Sequence, residues 1–253
     1  KYSEVQPHYM RHYMPPHSSM KKPQFTEGTI YHIYNRGVDK RIVFLRNQDR
    51  IRFIHDLYEF NDADPASNLW YYCKESEVQP RYIPRERKQR KLLVEILAFV
   101  LMPNHYHLIV RQLRKNGITN FMQKLGTGYT MYFNKINRRV GALFQGRFKA
   151  VLVENTPHFI HLPLYVHANP LKLYRGATSL DKIMKFLESY RWSSFPDYIG
   201  KKNFPSVISS RFLRECFGGD REQYYAMRVF IKTKMEDLEN IKEVMLDDDF
   251  EKE

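Results

Sequence analysis

The order of its periodicities predicts an α+β fold for this chain: a ferredoxin-like sandwich with an antiparallel central sheet, helices on its faces, and a helical C-terminal extension. Three observations carry that prediction. Between residues 29 and 169 the pattern runs strand, helix, strand, strand, helix, strand, helix. Two apolar runs, residues 91–102 (KLLVEILAFVLM) and 106–110 (YHLIV), flank Pro103-Asn104, which is turn chemistry because Pro presets φ and Asn tolerates tight local geometry. The helical segments carry apolar residues three and four apart, so each has a face to bury.

Residues 1–23 are polar, rich in Pro, His and Tyr, and without periodicity, and they read as a loose tail. Residues 29–35 (TIYHIYN) alternate like a strand, with Arg36-Gly37 as the turn that follows. From 47 to 60, Ile51, Phe53, Ile54, Leu57 and Tyr58 fall at helical spacing, and Asn47 is the expected N-cap. Residues 61–90 form a polar insertion ending in Arg81, Arg85, Arg87, Lys88 and Arg90, either a solvated linker or a basic arm that touches a polyanion. Residues 117–137 are amphipathic and helical, and residues 143–155 return to strand character, broken near Gly146. Thr156 caps a helix running to about Asn169, where Pro170 closes it. Residues 180–190 and 206–235 add helices beyond that unit, and Arg191-Trp192-Ser193-Ser194-Phe195 is the expected seal between extension and core.

A hydrophobic fraction of 43% with 15% aromatics argues for a folded chain of 253 residues. No apolar run reaches the length of a membrane span, and no signal-peptide core is present, so the expectation is a soluble protein. Cys73 and Cys216 stand apart from each other and from any C-x-x-C pattern, which fits a reducing, cytoplasmic compartment. The net charge is +13, and it is unevenly spread. Residues 236–253 hold nine acids against two lysines, a tail of −7 that leaves +20 on the other 235 residues. So basic a body, with so many aromatics, points to nucleic acid.

The chemistry begins at Leu101 to Val110. His105 and His107 are two apart on a strand and project to the same face, where two imidazoles can hold a divalent metal. The His-x-His pattern alone is a weak signal, and its position at the start of a buried strand strengthens it. His32, Glu154 and Asn169 are the candidates for a third ligand. Tyr165 and Asn169, four apart, lie on one face of their helix. A tyrosine one turn from a metal ligand is a candidate nucleophile toward phosphorus, although Tyr129 and Tyr132 on the preceding helix are rivals and core packing is the commoner fate of a tyrosine.

Several separated motifs, in order, resemble the single-tyrosine HUH transposases, and among them the REP-associated tyrosine transposases. They are MPNHYHLIV (102–110), FMQKLGTGYTMYFN (121–134) with GALFQGRFKA (141–150), and YVHANPLK (165–172), while TIYHIYNRG (29–37) and RWSSFPDYIG (191–200) fit the same pattern. The resemblance covers residues 26–175 and implies a catalytic domain over 24–175, with residues 176–253 a helical extension and acidic tail. It implies that His105 and His107 are the HUH ligands of Mg²⁺ or Mn²⁺. The Tyr-Ile-x-x-Asn-Pro motif of these relatives carries over onto Tyr165 as nucleophile and Asn169 as third ligand, and Tyr129 and Tyr132 then revert to packing or DNA contact.

Such enzymes cut single-stranded DNA beside imperfect hairpins, form a 5′-phosphotyrosine link, and can rejoin strands by reversal. The implied partner is single-stranded DNA with a hairpin, bound by a monomer or a homodimer. Arg36, Lys40, Arg41, Arg147 and Lys149 are the expected backbone contacts and Phe144 the expected base-stacking residue, against the plainer roles of surface charge and core aromatic. This chain departs from the family pattern in three places. Pro163 lies inside the tyrosine helix, where it removes a hydrogen bond and tends to kink the axis. Ala168 is small where a bulky residue is usual, and the 61–90 insertion is long. An alternative of another class is therefore a hairpin-DNA binding protein without cleavage activity, in which Pro163 misaligns Tyr165. A third reading is a metal-dependent hydrolase that uses water.

Overall fold

The computed structural model describes residues 24–65, 90–153, 156–176 and 179–240. Four strands form one antiparallel sheet in the order β2-β3-β1-β4. They are β1 (Ile30–Arg36), β2 (Val94–Met102), β3 (His105–Gln112) and β4 (Lys149–Leu152). With α1 (Asn47–Glu59) after β1 and α2 (Gly117–Ile136) after β3, the chain has the βαββαβ connectivity of a ferredoxin-like sandwich. The two central strands, β3 and β1, are buried along nearly their whole length because helices cover both faces.

Alternation assigns those faces. Tyr106 and Leu108 point to one side, where the Phe53 ring of α1 lies 4.9 Å from Tyr106 and Tyr129 of α2 lies 5.0 Å from Phe53. His105 and His107 point to the other side, toward α3 (Thr156–Ala168). Hydrophobic on all sides, α3 is a helix that must be enclosed. Leu162 and Val166 enter the main core, while Leu164 joins a second apolar cluster with Ile183, Met184 and Leu187 of α4 (Leu180–Ser189) and Met227, Phe230 and Ile231 of α7 (Asp220–Asn240).

The extension, which also contains α5 (Phe195–Tyr198) and α6 (Ser210–Phe217), closes the open edge of β2. Leu101 N–H donates to the Trp192 carbonyl at 2.8 Å and Ser194 N–H to the Phe99 carbonyl at 3.0 Å, in an antiparallel bridge centred on Val100 and Ser193. Further along, the Ile96 carbonyl accepts from Ser209 N–H, and Tyr198 Oη donates to the Leu97 carbonyl. An edge that would otherwise invite another chain is thereby occupied by the protein's own extension. The expected seal at 191–195 is this junction.

Several boundaries differ from the sequence expectation. Of the strand expected over 143–155, the described residues form a strand at Lys149–Leu152. Leu143 and Phe144 are buried loop residues whose apolarity serves the core. Arg46, rather than Asn47, is the N-cap of α1, because Asp49 Oδ2 accepts from Arg46 N–H at 2.8 Å. The helix expected to close at Pro170 ends at Ala168 and continues as a 3₁₀ turn, Asn169–Leu173, in which Pro170 sits at the first turn and needs no donor. The long helical stretch expected over 206–235 is split by Gly218, whose φ of 87° favours glycine. Glu154, Cys73, residues 1–23, most of the 61–90 insertion and the acid-rich residues 241–253 lie outside the described residues.

Candidate active site

Strand pairing decides which side chains surround the histidine pair. In the β1–β3 register Tyr34 lies opposite His107 and Arg36 opposite His105, and on the far side of β1 Tyr34 pairs with Lys149. His32, Tyr34 and Arg36 of β1 therefore share the face of His105 and His107. The His107 ring is the hub. Its centroid lies 5.1 Å from His105, 5.1 Å from His32, 5.7 Å from Tyr34 and 6.1 Å from Tyr165 of α3, the last edge-on at 84°. Helix α3 continues through Pro163 and still brings Tyr165 against His107.

Each histidine is oriented by a bond at Nδ1. His105 Nδ1 meets the Asn104 side-chain oxygen at 2.7 Å, and Asn104 Nδ2 in turn donates to the Lys40 carbonyl at 3.2 Å. That carbonyl belongs to a strained segment: Asp39 and Lys40 hold φ of 54° and 55°, left-handed values that cost a residue with a side chain. His107 Nδ1 meets His32 Nε2 at 2.9 Å. With Nδ1 engaged in both rings, the Nε2 lone pairs are the ones a metal would take. Burial lowers the His107 pKa well below the free value, and the charges of His32, His105 and Lys172 add to that, so the ring is neutral at physiological pH as a ligand must be.

A third donor stands one turn beyond Tyr165. Asn169 is buried, its Nδ2 donates to the Tyr165 carbonyl at 3.0 Å, and its Oδ1 has no hydrogen-bond partner. A buried carbonyl oxygen without a partner is costly, and a hard divalent cation is the kind of group that would satisfy it. The 3₁₀ turn that carries Asn169 packs on β2 and also brings Lys172 close enough to act on His107. Among the described residues no three His, Cys, Asp or Glu side chains gather for a metal, so the donor set this site offers is two imidazoles and a carboxamide. That mixed nitrogen and oxygen set fits Mn²⁺ or Mg²⁺ with water completing the shell.

The remaining sequence candidates separate by position. Lys40, Arg147 and Lys149 are exposed, Arg41 is half-buried, and Arg36 is buried beside His105. Phe144 is a core aromatic, 6% exposed, with its ring edge-on to Tyr106 at 5.6 Å, and offers no face for a base. Tyr129 and Tyr132 are also packing residues: Tyr129 Oη donates to the Val43 carbonyl at 2.6 Å and Tyr132 Oη to Asp49 at 3.0 Å. Burial raises the Tyr129 pKa further, which unsuits it as a nucleophile. Sequence reasoning left out Tyr34 and Lys172, and it listed His32 only as a ligand. Their signal is strand register and the 3₁₀ turn, neither of which periodicity encodes.

Residues 75–169 match the family described as "Transposase IS200 like". No curated protein matches the chain. Among solved structures, that of a REP-associated tyrosine transposase bound to a REP hairpin matches with 15% identity over 76% of this chain and 92% of that one, at a TM-score of 0.46. No helix among the described residues is long and apolar enough to cross a membrane. The segment that holds the histidine pair, Tyr165 and Asn169 is thus the one that matches an IS200-like transposase domain.

Proposed function

We propose that this protein is a metal-dependent strand transferase that cuts and rejoins single-stranded DNA beside a hairpin, with Tyr165 as nucleophile. The observation that supports it most is the meeting of Tyr165 with His107 while Asn169, bonded to the Tyr165 backbone, carries an unpartnered buried oxygen. His105, His107 and Asn169 would hold Mg²⁺ or Mn²⁺, which supplies polarisation of the phosphoryl oxygen and stabilises its developing charge. The Tyr165 phenol gives up its proton and its oxygen attacks phosphorus. The bond to the 3′ oxygen breaks, and that oxygen takes up a proton and leaves as a 3′-OH. The 5′-phosphotyrosine so formed keeps the energy of the broken link, so a 3′-OH can reverse the step.

Arg36, opposite His105, Lys149, opposite Tyr34, the exposed Lys40 and Arg147, and the half-buried Arg41 would meet the DNA backbone. The ring contact of Tyr165 with His107 forms within one chain, which favours a tyrosine acting in cis. The test is incubation with a labelled single-stranded hairpin and Mn²⁺. A covalent adduct that survives denaturation, and is absent from Tyr165→Phe, supports the proposal. Tight hairpin binding without an adduct would leave only a binding protein, and cleavage that persists in Tyr165→Phe would assign the attack to water.

A further inference from the structure

His32 is 3% exposed, lies on β1, and is two residues away from Tyr34, the register partner of His107. It therefore sits diagonally across from His107, near enough for the rings to come within 5.1 Å and nearly parallel, at 19°. Its Nε2 lies 2.9 Å from His107 Nδ1. Two imidazoles joined this way share one N–H, and each ring has one proton to place. If His32 donates, His107 must carry its own proton on Nε2, and that nitrogen has no lone pair to offer. If His107 donates from Nδ1, its Nε2 lone pair is left for a ligand, in a ring whose centroid lies 6.1 Å from that of Tyr165. The pair has one arrangement that can bind a metal and one that cannot.

From this geometry we infer that His32 is a positioning residue, not a ligand: it accepts the Nδ1–H of His107 and aims the Nε2 lone pair of that ring at the metal. The inference rests on the metal site proposed above. In that arrangement His32 Nε2 is engaged by the bond and the proton of its neutral ring sits on Nδ1, so neither nitrogen has a lone pair for the metal, which removes His32 from the ligand set. Asn104 does the same for His105 through an amide oxygen, which can only accept and so leaves no tautomer open. His107 has an imidazole in that place, a partner able to donate or to accept. Partners of this kind hold a ligand's ring angle and tautomer, and their loss typically weakens metal binding about 10–100-fold.

The test uses the full chain and Mn²⁺ alone, titrated by calorimetry at neutral pH, with a thermal melt of each variant. His32→Phe keeps an aromatic ring in place, one atom larger, and removes the acceptor, and Mn²⁺ affinity is expected to fall about 10–100-fold with the fold retained. His32→Gln offers a side-chain oxygen and is expected to recover most of the affinity. A melted Phe variant would move the decision to the unsubstituted chain saturated with Mg²⁺. There, nitrogen NMR is expected to show the His107 proton on Nδ1 and a coupling across the bond to His32 Nε2. A folded Phe variant that binds Mn²⁺ as the parent does, or the absence of that coupling, overturns the inference and leaves the metal site standing. A parent chain that binds no Mn²⁺ overturns both.

Discussion

Asn169 Nδ2 donates to the carbonyl of Tyr165 at 3.0 Å, so the candidate nucleophile and the candidate third ligand are fastened to each other on one turn of backbone. Whatever positions α3 positions both. Leu162 and Val166 seat that helix on the sheet, and Leu164 seats it on the C-terminal extension.

Asn169→Ala removes the orphaned oxygen together with one bond to a helix-end carbonyl. The expected stability loss is only about 1 kcal/mol, because the Tyr165 carbonyl that loses its donor takes part in a bond that is only partly buried. Mn²⁺ binding and adduct formation should both drop by at least about tenfold, and Asn169→Asp, which keeps an oxygen ligand, should retain measurable binding. Calorimetry and a gel assay on the same preparations check this. An Ala variant with unchanged Mn²⁺ affinity would exclude Asn169 from the site.

Ser194 joins three groups at once: Phe99 N–H donates to its Oγ at 2.9 Å, its hydroxyl reaches the Phe99 carbonyl at 3.3 Å, and His167 Nε2 of α3 lies 2.8 Å away. Ser194→Ala leaves a buried amide and a buried imidazole short of a partner. A loss of about 1–3 kcal/mol in urea unfolding is expected. The adduct rate should fall more than hairpin affinity does, because the change loosens the helix that carries Tyr165.

Acid should destabilise the fold through the same helix. Burial holds the His167 pKa down to about 3, against 6.5 for the free side chain. Between those values the unfolded chain binds a proton that the folded chain refuses, so stability rises with pH across the window and is lost as pH falls below about 6.5. His107, lowered for the same first reason, acts in the same direction. The expected slope is up to about 1.4 kcal/mol per pH unit for each such group. Urea midpoints measured from pH 7 to pH 5 check it, with His167→Gln expected to flatten the dependence.

Phe144→Ala and Lys149→Ala should separate core from surface. The first empties a buried ring site between Tyr106 and Tyr129 and should cost roughly 3 kcal/mol or more of stability. Exposed on β4 opposite Tyr34, Lys149 should give a variant of unchanged melting temperature. Its hairpin affinity should weaken, and the slope of log affinity against log salt should fall by about one. Binding isotherms at several salt concentrations are the measurement.

The pattern of strands and helices was legible because period two and period 3.6 are local properties. Misread boundaries came from residues that serve two purposes. Leu143 and Phe144 are apolar for the sake of the core and so imitate a strand, while Asp49 rather than Asn47 supplies the capping oxygen at α1. Phe144 shows the same limit at the site, since an aromatic beside basic residues looks alike in sequence whether it stacks on a base or on Tyr106.

That His105 and His107 share a face follows from the period of one strand, and the i, i+4 spacing of Tyr165 and Asn169 survives the passage from α3 into the 3₁₀ turn, where the Asn169 side chain still reaches the Tyr165 carbonyl. That the two pairs meet does not follow from spacing. It depends on β1 pairing with β3 so that Tyr34 falls opposite His107, and on α3 being enclosed between two apolar clusters that draw from residues 31 to 231. His32 takes its place beside His107 for the same reason. Register and long-range packing are properties of the whole chain, and only the folded molecule chooses them.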